Sequence, residues 1–489
     1  QPGLPTYTLP HRALPAATIN ENPEAGLILL LNPPFHKPVL RDYFCSHYSK
    51  GRYIWQPLDF VYLSGLLLSR GTDFCVYDAI CRKASQTRTM EYIKKLKPSV
   101  IVALSGAATL PSDLAFFRRI KAEPPETKIL TTGDVFLFHG REILSRRQEI
   151  DGVLFHFLDS SLADYLQQGH GLNVLERGSE KLPVFPKRFT LHTPAWEWFS
   201  HPGYNLPYLQ EAGFQSLLCA FSCPHECFYC PFEKLPFVQR DPENIYTELR
   251  SLKSRGVRYL FIRDQSFNPG SSFYQEILLM LRRFSFRFSI SARPEHLVKW
   301  DLVNFLREAG CDLVQIGVET ANQSVLEPTG KNLPAAELVG VFNNLRRQGI
   351  RTLTHMILGF PGDNAAIFQD NRSLLKQLDP DFLSINILAP QPGTSLRDSL
   401  SYHVDPDCDF MDSSFTPPVF GSIDFRKSVM QERALLSMKF YLSPTFIMRT
   451  FRGASVFSLR ILALEAVSYA AKLDFSEIFN IIRICRGRG

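Results

Sequence analysis

Three cysteines, Cys223, Cys227 and Cys230, stand at offsets of four and three in the stretch CPHECFYCP, with Tyr229 just before the last. Thiols this close can close on zinc, form disulfides or hold an iron–sulfur cluster. Zinc needs a fourth ligand, for which Cys219 or His225 is available, but structural zinc sites usually come as two pairs and no second pair lies nearby. Disulfides are disfavoured because the remaining cysteines are scattered through 489 residues, a length that needs no disulfide framework. A cluster held by three cysteines explains more, since it leaves one iron open to a small molecule. Cys45, Cys75, Cys81, Cys311, Cys408 and Cys485 lack such spacing, and no second cluster is expected.

The elements around the loop place it. From Gln215 onward, short apolar runs alternate with helical patterns: SLLCAF, VRYLFI, FRFSISA, DLVQIGV, TLTHMILGF and FLSINILAP. The first helix starts at Asp241 as cap and Pro242 as first residue, carries Ile245, Leu249 and Leu252 on one face, and ends before Gly256. Further helices are expected over 272–283, 301–309, 334–347 and near 364–377. These repeats are too few for an eight-fold barrel, so 211–405 reads as a (βα)6 partial TIM barrel with its chemistry at the carboxyl ends of the strands. The cysteine loop follows the first of them.

Residues 26–170 read as a second α/β unit. GLILLLNPPF, DFCVYDA, SVIVALSG, KILTTGD and DGVLFHF are five candidate parallel strands, with helices over Leu58–Arg70, Thr87–Leu96 and Ser112–Ala122. That pattern implies a doubly wound, Rossmann-like sheet, whose ligands lie beyond the carboxyl ends of its strands. Those ends carry Asn32, Pro33, Pro34, Asp78, Ser105, Gly106, Thr132, Gly133 and Asp134. Residues 1–25 form an N-terminal extension without the apolar segment of a secretory leader. Residues 171–210, rich in proline and aromatics, read as a linker packed across both units. Residues 406–489 turn amphipathic and helical (DFRKSVMQERALLSMKFYL, SLRILALEAVSYAAKL), a helical C-terminal cap.

Composition narrows the function classes. With 45% hydrophobic and 21% charged residues the chain is globular, and no apolar run is long enough for a membrane span. The net charge of +6 is concentrated: Phe425–Gly489 holds eleven Lys/Arg against four Asp/Glu. A nucleic-acid groove along the protein is therefore not expected, whereas the tail could at most touch an anionic membrane. A cytoplasmic location is expected from the cysteine pattern.

At this point the sequence resembles the radical S-adenosylmethionine (radical SAM) enzymes, in the subgroup with an N-terminal cobalamin (B12)-binding domain. The cysteine loop carries the resemblance, together with GVETANQSVLEPTGK, MILGFPGD, APQPGTSL and the opening LILLLNPPF with GRYIWQPLDFVYLSGLLLSRG. The resemblance implies that Cys223, Cys227 and Cys230 bind a [4Fe–4S] cluster whose open iron takes SAM. It implies SAM contacts at Tyr229, Asp264, Ser291, Arg293, Glu319, Gly359 and Pro361, with Gly362 beside them. It implies cobalamin contacts at Asn32, Pro33, Asp78, Ser105, Gly106, Thr132 and Gly133. The chain departs from the subgroup in three places: YDAICRK lacks the histidine that follows the aspartate in cobalt-ligating domains, Thr132-Gly133 replaces a glycine pair, and FHFLDSS replaces an acidic segment. His355, inside a barrel strand, reads as a core histidine.

What the resemblance implies is a cobalamin-dependent radical SAM methyltransferase. It would act on an unactivated carbon through a 5′-deoxyadenosyl radical, with an external one-electron donor such as flavodoxin or ferredoxin. The 39 phenylalanines and the amphipathic tail suggest a hydrophobic or lipid-like small molecule as substrate. Two other readings stay open: a radical SAM enzyme performing cyclisation, ring contraction or carbon–carbon coupling, with or without bound cobalamin (the N-terminal domain then being vestigial, kept for packing or substrate binding), and a zinc-stabilised binding protein.

Overall fold

The computed structural model describes residues 26–43, 45–49, 53–123, 126–206, 208–209, 213–399 and 421–453. The extension 1–25, Cys408, Cys485 and the second tail helix expected over 458–473 lie outside the described residues.

Apolar runs buried on both faces form the first sheet. Ile28–Asn32 and Val100–Leu104 are buried at every position and lie side by side at its centre. The order is Phe74–Asp78, Ile28–Asn32, Val100–Leu104, Lys128–Thr132, Gly152–Leu154, Val174–Glu176. All neighbours are parallel except the last pair. The chain order therefore reverses between Ile28–Asn32 and Val100–Leu104, the switch point at which such sheets open a crevice. Five strands were expected; the sixth comes from 171–210, whose short Val174–Glu176 closes the sheet edge. Helices Asp134–Arg146 and Ser161–Gln168 were not among those expected.

Alternation sends Leu29 and Leu31 to one core, shared with Ile101 and Ala103, and Ile28 and Leu30 to another. This second core does not stop at the domain edge. It runs through helix Leu58–Ser69 into the barrel strands, so the two units share one hydrophobic interior. At Gly65 in that helix a Cβ would stand 2.6 Å from the carbonyl oxygen of His192, which is how closely the linker crosses it.

The second sheet is the barrel: Gln215–Leu217, Tyr259–Ile262, Arg287–Ala292, Cys311–Glu319, Arg351–Leu358 and Phe382–Ile387, in that order. Every adjacent pair is parallel. SLLCAF is not one strand. Gln215–Leu217 joins the barrel, whereas Ala220–Phe221 leaves it to pair antiparallel with Val238–Arg240, and the cysteine loop hangs between those two. The first tail helix, Ile423–Tyr441, packs Val429 and Leu436 on the outer side of the last two strands, against Met356, Leu383 and Ile385. It therefore acts as a wall of the barrel.

Candidate active site

The loop from Ser222 to Phe237 is built from tight turns. Ser222 opens it in the left-handed region, at φ 65°. Cys230 N–H donates to the Cys227 carbonyl at 2.8 Å, and Glu233 N–H to the Cys230 carbonyl at 3.0 Å. The segment after the last strand pins the loop from outside. Ser395 donates to both oxygens of Glu233, at 2.6 and 2.8 Å, and Leu396 N–H donates to the Phe228 carbonyl at 2.9 Å. This is the structural use of APQPGTSL. Cys227 is buried, Cys223 and Cys230 half-buried, and none of the three forms a disulfide among the described residues. Burial pushes all three thiols up, Cys230 to about 12; Cys227 raises Cys223 further, and Cys227 and Cys223 together raise Cys230.

Three later strand ends converge on the loop. Arg293, after the third strand, brings Nη1 to 3.8 Å from the Cys227 sulfur while donating to the Thr329 carbonyl at 3.2 Å. Glu319 ends the fourth strand at φ 66°, a conformation that costs a non-glycine residue about 1–3 kcal/mol and persists only when its surroundings impose it. What imposes it here is Lys331, whose Nζ donates to Glu319 Oε1 at 2.5 Å and to the Gly317 carbonyl at 3.1 Å. A Cβ on Gly317 would lie 2.5 Å from Glu319 Oε1, so glycine leaves room for the Glu319–Lys331 pair as it stands. After the fifth strand, Gly359 (φ 92°) and Phe360 donate their N–H groups to Asp363 at 2.8 and 3.0 Å. Phe360 stands edge-on to Tyr229, 5.5 Å between ring centres. Pro361 and Gly362 lie exposed at the tip of that turn. Ser291 is half-buried on the third strand.

Asp264 behaves differently from expectation. One carboxylate oxygen accepts from Cys219 N–H at 2.7 Å and the other from the Tyr274 hydroxyl at 2.8 Å. Both oxygens are committed, so Asp264 braces the root of the cysteine loop from behind.

At the open end of the first sheet, Asn32, Pro33, Asp78, Ser105, Gly106, Thr132 and Gly133 are brought together as expected, and all are buried. They are not vacant. A hairpin, Val39–Asp42 with Cys45–Tyr48, lies across them. Arg41 enters the switch-point crevice and donates to Asn32 Oδ1 at 2.8 Å, the Pro33 carbonyl at 2.8 Å and Asp113 at 2.7 Å. Asp78 accepts from Asn32, Cys81 N–H and Tyr204, Ser105 donates to Asp113, and Thr132 donates to Asp59. A Cβ on Gly106 would collide with Ser46 at 2.3 Å, and one on Gly133 with the Ser105 carbonyl at 2.0 Å. The small residues make room for the protein's own chain.

Residues 218–375 match the family model of the Radical SAM superfamily. This stretch is a radical SAM domain. The chain is 22% identical over 360 residues to an uncharacterised methyltransferase of Pyrococcus horikoshii, covering 70% of this chain and 77% of the relative. A bacteriochlorophyllide d C-12(1)-methyltransferase of Chlorobaculum tepidum is 26% identical over 187 residues, 36% of this chain and 41% of that one. The fold is that of two cobalamin-dependent radical SAM enzymes. OxsB, with aqua-cobalamin and S-adenosylmethionine bound, superposes with a TM-score of 0.67 at 12% identity, over 95% of this chain and 75% of its own. The methyltransferase TsrM of Kitasatospora setae, with cobalamin and a [4Fe–4S] cluster, gives 0.58 at 17% identity, over 76% and 74%.

The loop fits the cluster of a radical SAM enzyme. Buried thiols must lose their protons to bind iron, and the nearby cations of Arg293 and Lys331 favour that loss at Cys227. The residues expected to line a corrin do not fit that role here, because their polar atoms are bonded within the protein and the hairpin fills the crevice. Lys331, Asp363 and Arg41 escaped sequence reasoning. Lys331 ends GVETANQSVLEPTGK and Asp363 ends MILGFPGD, so motif position was the available signal; Arg41 offered none.

Proposed function

We propose that this radical SAM enzyme is a methyltransferase acting on carbon. The observation that carries the reading is the gathering of three undisulfided thiols in one loop at the carboxyl face of six parallel strands, flanked by Arg293 and the Glu319–Lys331 pair. Cys223, Cys227 and Cys230 would hold a [4Fe–4S] cluster, whose chemistry when reduced would be one-electron cleavage of SAM. Around it, Tyr229 and Phe360 offer an aromatic wall to an adenine, and Gly359 and Pro361 shape the neighbouring turn. Arg293, Glu319 and Lys331 offer charges for the amino and carboxylate groups of SAM, and Ser291 a hydroxyl. The electron comes from outside the chain, from a flavodoxin or ferredoxin. Among the described residues no helix is long and apolar enough to cross a membrane.

Cobalamin enters the proposal through the shared fold and the two structural neighbours, and no step is assigned to it. A second reading, radical chemistry without methyl transfer, is favoured by one observation: Arg41 and its hairpin occupy the sheet-end crevice. Oxygen-free reconstitution tests both. About four irons per chain and 5′-deoxyadenosine are expected, and S-adenosylhomocysteine formed alongside marks methyl transfer. No bound iron, or full turnover after replacing Cys223, Cys227 and Cys230 with alanine, would falsify the radical reading.

A further inference from the structure

The inner wall of the barrel carries a polar patch. On the last strand, Leu383, Ile385 and Ile387 are buried under Phe368, Leu375 and the tail helix, so the half-buried Ser384 and Asn386 face the lumen. Parallel register places His355 beside Ser384 on the same face. His355 reaches across to Gln315, Nε2 to Oε1 at 3.2 Å, and Ser291 is the register partner of Gln315 on the next strand. Ser291, Gln315, His355, Ser384 and Asn386 thus form one hydrogen-bonding surface leading to Glu319.

Gln315 is the informative member. Only 8% of it is exposed, yet its Nε2 has no hydrogen-bond partner among the described residues. Its Oε1 accepts from His355, which fixes the carboxamide and leaves the NH2 group as a donor in want of an acceptor. A buried donor left unmade costs about 1–3 kcal/mol. An acyl chain in this lumen would seal that cost in. A molecule offering a carbonyl or ring nitrogen would remove it.

We infer that Gln315, held by His355, orients the substrate, and that the substrate is a neutral, hydrogen-bonding molecule rather than a lipid. The inference rests on the radical SAM reading of the site. It runs against the lipid-like substrate suggested by phenylalanine content, because many of those rings lie in the core and this patch of the lumen is polar.

The test uses the cluster-loaded full chain with SAM and a reductant, given either the aqueous or the chloroform-soluble extract of the source cells. The readout is the rise in 5′-deoxyadenosine over the rate without extract. The aqueous extract should raise it and the chloroform extract should not. Gln315→Leu and Gln315→Glu should both lose the rise at least tenfold while keeping iron and binding SAM by equilibrium dialysis. Gln315→Glu still accepts from His355, so a purely structural role would leave it responsive; loss in both variants is the signature of a missing donor. A response to the chloroform extract, no response to either, or a response that survives in Gln315→Glu overturns the inference. Absence of any SAM cleavage in the unaltered enzyme would instead sink the radical SAM reading.

Discussion

Asp42 and Arg263 form a 2.7 Å ion pair with side chains 0% and 1% exposed, joining the hairpin of the first domain to the end of the second barrel strand. The neighbouring Arg41 makes its own sealed pair with Asp113, at 2.7 Å, inside the first domain. Successive residues of a strand point to opposite faces. Two adjacent side chains therefore grip two domains, and Asp264, next to Arg263, carries that anchorage to the root of the cysteine loop.

Breaking a sealed pair by removing one partner leaves a buried charge, at a cost of about 3–5 kcal/mol. Asp42→Ala should lower the urea midpoint accordingly and speed protease cleavage between the domains. An unchanged midpoint would mean that the shared hydrophobic core alone holds the domains together.

The barrel was legible because its signals are local. Gly310 and Gly349 close helices where expected, at φ 104° and 66°, and six apolar runs became six strands, the first of them shortened. The hairpin was not legible: RDYFCSHY shows no simple apolar alternation, and its partners Asp113 and Arg263 lie far off in the sequence. Nor was the direction of Asp264. An aspartate at a strand end reads the same whether it faces a ligand or a backbone N–H behind it. The Glu319–Lys331 pairing was equally hidden, since it depends on a left-handed turn at a residue that seldom adopts one.

Lys331 holds Glu319 in place and lies near Cys227. Replacing it with methionine leaves the Glu319 carboxylate unpaired beside the cluster loop, and losing one member of a buried charge pair costs about 2–5 kcal/mol of binding. Lys331→Met should therefore weaken SAM binding by at least about tenfold, read by equilibrium dialysis on the iron-loaded chain, and Lys331→Arg should recover part of it. Equal affinity in Lys331→Met and the unaltered chain would remove Lys331 from the SAM site.

Burial pushes Asp264 from the ordinary 3.8 to about 7, against the opposing pull of the Cys219 and Ala220 N–H groups, the Tyr274 hydroxyl and Arg240. Burial does the same to Asp134, also to about 7. A folded value above the unfolded one means that the folded chain holds the proton longer. The associated stability is full below about 3.8 and is lost as pH rises through about 7. Between pH 6 and 8 each such group should remove about 1.4 kcal/mol. Asp264→Asn should lose less stability over that interval than the unaltered chain, by about that amount, in paired urea titrations. Identical slopes would show that Asp264 is already ionised at pH 6.

Ser105 and Thr132 were expected to touch a corrin, yet their hydroxyls donate to Asp113 and Asp59. A hydroxyl whose hydrogen is already given to a neighbouring carboxylate cannot also donate it to a cofactor. Ser105→Ala and Thr132→Val should each cost about 0.5–1.5 kcal/mol of stability and leave unchanged the cobalamin retained after gel filtration, read from its visible spectrum. Loss of cobalamin in either variant, with the melting temperature preserved, would mean that the hairpin swings away to admit the corrin and frees these hydroxyls as it goes.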